Sequence, residues 1–145
     1  MNKEIIEKSD NYQKTIKKSV CLTGISLHKG LKSTLTIKPN YEDTGITFIR
    51  TDLNKNNIVK ATYKNVSDTT LCTVISNKYG CKVSTIEHLM SALFGKGIDN
   101  AIVEVNCEEL PALDGSAYPY IDLLNQIGCK KLNKFKKIIK IKKTI

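Results

Sequence analysis

Through the first half of the chain, apolar residues alternate with polar ones in short runs broken by turn formers, the period expected of half-buried strands. Thr15 to Leu22 reads as a strand on Ile16, Val20 and Leu22, after which Thr23-Gly24 opens a loop that holds His28 and closes at Gly30. Lys32 to Lys38 alternates Leu35 and Ile37 with Thr34, Thr36 and Lys38, and Pro39-Asn40 stops it. Ile46 to Thr51 follows the Asp43-Thr44-Gly45 turn, so the opening third is expected to be an antiparallel meander. Ile58 to Val66 and Leu71 to Ser76 continue the strand pattern with residues of high β-propensity.

The period changes at Ser84. Ile86, Leu89, Met90 and Leu93 recur at i, i+3, i+4 and i+7, which puts them on one face of a short helix ended by Gly95 and Gly97. At about 100° per residue Glu87 falls at the edge of that stripe and His88 nearly opposite its centre. His88 is therefore expected to face away from its own core, with the small Ser91 and Ala92 one turn on. Ala101 to Val105 is a nearly continuous apolar strand. Ser116 is placed to cap a second helix with Ala117, Tyr120, Ile121, Leu124 and Ile127 on one face and Gly128 at its end. Strands followed by helix, strand and helix predict an α+β two-layer sandwich, with both helices on one face of a mainly antiparallel sheet.

Length and composition narrow the picture. At 145 residues and 41% hydrophobic the chain suits one domain with its own core. Residues 1–14 read as a loose extension, residues 15–130 as the domain, and residues 131–145 as a basic segment. Within that segment Lys136 to Ile145, with Ile138, Ile139 and Ile141, reads as the first strand of a second domain. The formal charge of +9 is concentrated at this end of the chain, since Lys130, Lys131, Lys134, Lys136, Lys137, Lys140, Lys142 and Lys143 have no acid among them. Arg50 is the only arginine and Phe135 the only aromatic in the tract, which argues against nucleic acid as a partner. Cys21, Cys72, Cys81, Cys107 and Cys129 form no C-x-x-C pair and are odd in number, as reduced cytoplasmic thiols would be. There is no apolar run of the roughly 20 residues that a membrane span needs.

The chemical candidate is the Glu87-His88 pair. Ser84-x-x-Glu87 also spells a capping box, in which Glu87 would reach back to the Ser84 amide and His88 would be a solvated helix residue. With Thr85 as the cap instead, the Glu87 carboxylate is free to face a cleft.

Five blocks favour the chemical reading: Thr23-Gly24-Ile25-Ser26-Leu27-His28-Lys29-Gly30, Arg50-Thr51-Asp52-Leu53, Asp68-Thr69-Thr70-Leu71-Cys72-Thr73, the stretch from Ser84 to Asn100, and Asp114-Gly115-Ser116-Ala117. In this order they resemble the N-terminal half of the UDP-3-O-acyl-N-acetylglucosamine deacetylases, zinc amidohydrolases of lipid A synthesis. The resemblance implies that His88 is a Zn2+ ligand and Glu87 the general base. It implies two further ligands, a His and an Asp in an H-K-x-x-D motif of a second domain, and that motif does not occur here. It further implies that Leu71 and Cys72 line the cleft near the reactive carbonyl and that His28 stands near it without binding metal. On residue type alone, Leu71 and Cys72 would be core, and Asp114 to Ser116 a turn with a cap. The expectation is thus a half-enzyme, inactive alone, whose partners are the UDP-3-O-acyl-glucosamine substrate and a second domain or complementary chain. The competing expectation is a non-catalytic remnant or binding domain of the same fold.

Overall fold

In a computed structural model, residues 11–138 and 141–143 are described. The strands are β1 (Tyr12–Ile16), β2 (Val20–Ile25), β3 (Lys32–Pro39), β4 (Ile46–Arg50), β5 (Ile58–Lys60), β6 (Val66–Asp68), β7 (Val74–Ser76), β8 (Lys82–Val83), β9 (Ala101–Val105) and β10 (Cys129–Phe135). The helices are α1 (Glu87–Gly95) and α2 (Tyr118–Ile127). A five-stranded sheet in the order β2-β3-β9-β4-β5 forms the base of the domain. Leu35 and Ile37 of β3, Phe48 of β4, Val59 of β5 and Val103 and Val105 of β9 are buried on one face. They are brought side by side by the registers Leu35↔Val105, Ile37↔Val103 and Phe48↔Val103. Leu89, Ala92 and Leu93 of α1 and Tyr120 and Leu124 of α2 belong to the same core cluster. The α+β fold, with an antiparallel-dominated sheet system and two helices, agrees with the sequence pattern.

The expected meander is not what forms. β9 inserts between β3 and β4, antiparallel to the first and parallel to the second. β9 is thus a strand paired on both edges, and its run from Ala101 to Val105 is apolar but for Glu104, which pairs with Lys38. The run expected as one strand from Thr15 to Leu22 is two. Lys17-Lys18-Ser19 breaks it, and β1, opening at Tyr12, leaves the main sheet to pair with β10 from Tyr12↔Phe135 to Ile16↔Cys129. Likewise Ile58 to Val66 divides at a 3-10 turn, Tyr63–Asn65, so that β6 joins β7 and β8 in a separate three-stranded sheet.

The first part of the lysine tract therefore lies in β10, against the domain. Lys134 Nζ pairs with Asp43 at 2.7 Å and Lys136 Nζ with Asp99 at 3.1 Å, while Lys131 stands 3.6 Å from the centre of the Tyr12 ring. Of the strand expected from Lys136 to Ile145, residues 136–138 and 141–143 take no strand conformation, and residues 139, 140, 144 and 145 lie outside the described residues, as do residues 1–10 of the expected extension. No helix among the described residues is long and apolar enough to cross a membrane.

Candidate functional site

The chain enters α1 under unusual constraint. Ser84 bridges Glu109 in parallel: its amide donates to the Glu108 carbonyl at 2.8 Å, and its own carbonyl accepts from the Leu110 amide at 3.1 Å. Thr85 then takes φ 56°, left-handed backbone in which a β-branched residue is a true outlier. Its hydroxyl donates to Glu109 Oε1 at 3.0 Å. Ile86 is the residue at the helix boundary and Glu87 the first helical residue.

This geometry decides between the readings of Ser84-x-x-Glu87. The capping box does not form, because the Ser84 amide is committed to Glu108 and no side chain caps α1. Glu87 Oε2 instead accepts the Thr73 amide at 3.0 Å, across to the loop that precedes β7. Thr85 does not cap the helix either, so the carboxylate is freed by a different route from the one the sequence suggests.

His88 departs from expectation. It is half-buried rather than turned away from the core, and its Nδ1 is buried with no hydrogen-bond partner among the described residues. The reason is the width of the buried stripe of α1: Ala92 is fully buried, and His88 lies one turn before it on the same face. With Nδ1 inside, Nε2 is the ring nitrogen a ligand can reach. Ser91 is exposed and leaves that flank low.

The three remaining candidates come together. His28, Leu71 and Cys72 line one cavity of about 320 Å3, with Asp68, Ser84 and Glu109 also in its wall. Leu71 is 80% exposed, which removes the core reading, and Cys72 is half-buried. The loop beneath them is held by Asp68, whose Oδ1 accepts both the amide and the hydroxyl of Thr70. Those bonds, the hydroxyl's first, hold the Asp68 carboxyl below its ordinary range. Thr73, directly after Cys72, joins this loop to Glu87. Glu87 is thus tied to the cavity's rim through Thr73, whereas neither it nor His88 lines the cavity.

Glu109 was not legible in the sequence. It is 1% exposed and accepts the His28 amide at 2.9 Å on Oε1 and the Lys29 amide at 3.0 Å on Oε2, besides the Thr85 hydroxyl. Burial alone would push its carboxyl up, but the two amides and the Thr85 and Ser26 hydroxyls outweigh that and hold it below the ordinary range. Nothing local in Cys107-Glu108-Glu109-Leu110 separates such a residue from a loop acid. Close approach makes the contact possible: a Cβ on Gly24 would lie 2.8 Å from the Pro111 Cβ, so only glycine lets the His28 loop seat against residues 109–113. Asp114 and Ser116 form the expected turn, with the Asp114 carboxylate accepting the Ser116 amide, and the Ser116 hydroxyl oxygen accepts the Tyr118 amide at 3.0 Å, as a cap for α2 would, although Ala117 stands at the helix boundary.

A catalytic zinc needs about three protein ligands and an open position. Among the described residues no three His, Cys, Asp or Glu side chains are grouped to hold a metal. The buried, unpartnered Nδ1 also means that His88 lacks the outer hydrogen bond that orients most ligating histidines. The described residues by themselves do not make such a site.

Comparison with known proteins shows which family the chain resembles and how much of its length the chain spans. A family model described as UDP-3-O-acyl N-acetylglycosamine deacetylase matches residues 13–145. Proteins named UDP-3-O-acyl-N-acetylglucosamine deacetylase are similar over nearly the whole chain. That of Pseudoalteromonas atlantica is 54% identical over 133 residues, 92% of this chain and 44% of its own length. Those of Shewanella halifaxensis and Haemophilus influenzae are 48% and 47% identical over the same shares. The chain thus spans less than half the length of these relatives. Ordered blocks, fold and matched length agree, and the chain belongs to the UDP-3-O-acyl N-acetylglycosamine deacetylase family.

Proposed function

We propose that this chain is the first half of a zinc-dependent hydrolase that removes the N-acetyl group of UDP-3-O-acyl-N-acetylglucosamine in lipid A synthesis, and that it is inactive by itself. The observation that carries the reading is the Glu87 carboxylate, which leaves its own helix uncapped and stands next to a half-buried histidine with a reachable Nε2. In this reading His88 is one metal ligand, and the others come from the part of the family's length that these 145 residues do not cover. Zinc, when bound, acidifies a water and polarises a carbonyl. Glu87 takes the proton of the attacking water. Its Oε2 is fixed by the Thr73 amide, so Oε1 is the oxygen free to receive that proton. The amide that holds Oε2 also ties the base to the loop of Leu71 and Cys72, which with His28 form the wall against which the substrate is held.

The test compares the 145-residue chain alone with the same chain supplied with a polypeptide covering the rest of the family's length. Alone it should lose zinc to dialysis against a mild chelator and release no acetate from the substrate. Combined, it should hold zinc and release acetate, and His88→Ala should abolish zinc retention. Stoichiometric zinc on the chain alone would overturn the split-site reading, and a combined protein without activity would favour a non-catalytic remnant.

A further inference from the structure

Glu109 joins two elements that both lead to the candidate site. One oxygen accepts from the His28 amide and the Thr85 hydroxyl, and the other from the Lys29 amide. Amides only donate, so both oxygens have to be acceptors, which a carboxylate provides and a carboxamide does not. The residues on either side of Glu109 hold Ser84, the residue before Thr85, by backbone hydrogen bonds. Thr85 is thereby fixed from its own side chain and from the preceding main chain, the kind of over-determination that a β-branched residue at φ 56° requires. Two residues later the chain presents Glu87, whose Oε2 meets the Thr73 amide.

We propose that Glu109 is a positioning residue whose carboxylate locks Thr85 in its left-handed turn and so fixes the direction in which α1 presents Glu87 and His88. The inference rests on the reading above for what the positioned pair does, while the lock itself is a property of this chain. A carboxylate that merely stabilised the His28 loop would leave the Glu87–Thr73 hydrogen bond untouched, and that bond lies outside Glu109's own contacts.

Amide hydrogen exchange of the 145-residue chain, followed residue by residue by NMR, reads this difference. The Thr73 amide is the reporter, and Val103, in the strand paired on both edges, is the reference for global opening. In Glu109→Gln the Thr73 amide, and whichever of the His28 and Lys29 amides the carboxamide nitrogen faces, should exchange about tenfold or more faster relative to Val103, as the loss of one charge-assisted hydrogen bond implies. Adding Thr85→Gly should restore Thr73 protection while the loop amide left without an acceptor stays fast, because glycine takes the left-handed turn without a lock. Thr85→Val keeps the shape and removes the hydroxyl. It should speed Thr73 and leave His28 and Lys29 slow, and it decides the matter if Glu109→Gln does not fold. An unchanged Thr73-to-Val103 ratio in Thr85→Val, or in a folded Glu109→Gln, would overturn the proposal. No activity enters this experiment, so an inactive combined enzyme would count against the proposed function and leave the lock standing.

Discussion

Replacing Tyr120 by Phe removes one oxygen from beneath residues 109–113, against which the His28 loop is seated, and the structure sets the size of the effect. Tyr120 is 1% exposed, and its hydroxyl donates to the Pro111 carbonyl at 2.7 Å. The ring stays in the core in the variant, so the apolar contribution is retained. What changes is that a buried carbonyl loses its donor, at a cost of about 1–3 kcal/mol. For a domain of this size each kcal/mol lowers the melting temperature by roughly 2–4 °C, so a fall of about 2–12 °C is expected by calorimetry, with a lower urea midpoint and an unchanged slope. Alkaline pH adds a second readout. Burial pushes the Tyr120 phenol well above its ordinary range. The folded chain therefore keeps this proton where the unfolded chain, titrating near about 10, releases it. The wild type's advantage is complete below that pH and declines as pH rises above it. Phe has no such proton, so the gap between the two proteins should narrow in alkali. Equal melting temperatures at neutral pH, or a gap that stays constant into alkali, would refute the buried hydrogen bond.

Gly24→Ala should lower the melting temperature, because its Cβ would meet the Pro111 Cβ at 2.8 Å and the Leu113 Cδ2 at 3.0 Å. The overpacking costs about 1–3 kcal/mol, of which reduced unfolded-state freedom offsets roughly 0.4–1; melting at or above wild type would contradict the close approach. Glu109 should contribute to acid sensitivity: its carboxyl is held low, so its stabilisation is present above the unfolded value of 4.5 and lost as pH falls through the folded one. Thermal melts between neutral and acid pH should lose this limb in Glu109→Gln, and parallel pH profiles for the two proteins would exclude it.

What could be read from the chain, and what could not, divides along physical lines. The buried face of the sheet was legible because Leu35 and Ile37 alternate with polar neighbours, and α2 because its apolar residues keep a 3.6 period to Gly128. Periodicity reports which side of an element is dry and says nothing of its neighbours, so the insertion of β9 between β3 and β4, and the exit of β1 to β10, were not visible. At the candidate site Glu87 and His88 stood out as adjacent polar residues on an apolar helix. Whether Glu87 capped that helix depended on where the Ser84 amide went, and it goes to Glu108, a partner 24 residues away in the chain. Glu109 was hidden for the same reason, since its partners, His28, Lys29 and Thr85, are all distant in sequence. The exposure of Leu71 likewise follows from its place at a cavity rim, which residue type alone would have assigned to the core.

Glu87→Gln tests the central claim most directly. Glutamine keeps the side chain's length, and its carbonyl oxygen accepts the Thr73 amide as Oε2 does, so the 3.0 Å tie is preserved while the proton acceptor is lost. The measurement is acetate release and thermal unfolding of the variant in the protein that combines this chain with the remainder of the family's length. Turnover should fall by roughly two or more powers of ten, the usual worth of a general base, with zinc content and melting temperature close to wild type. Turnover within a few-fold of wild type would contradict the assignment of Glu87 as the base and with it the residue-level case for catalysis in this half.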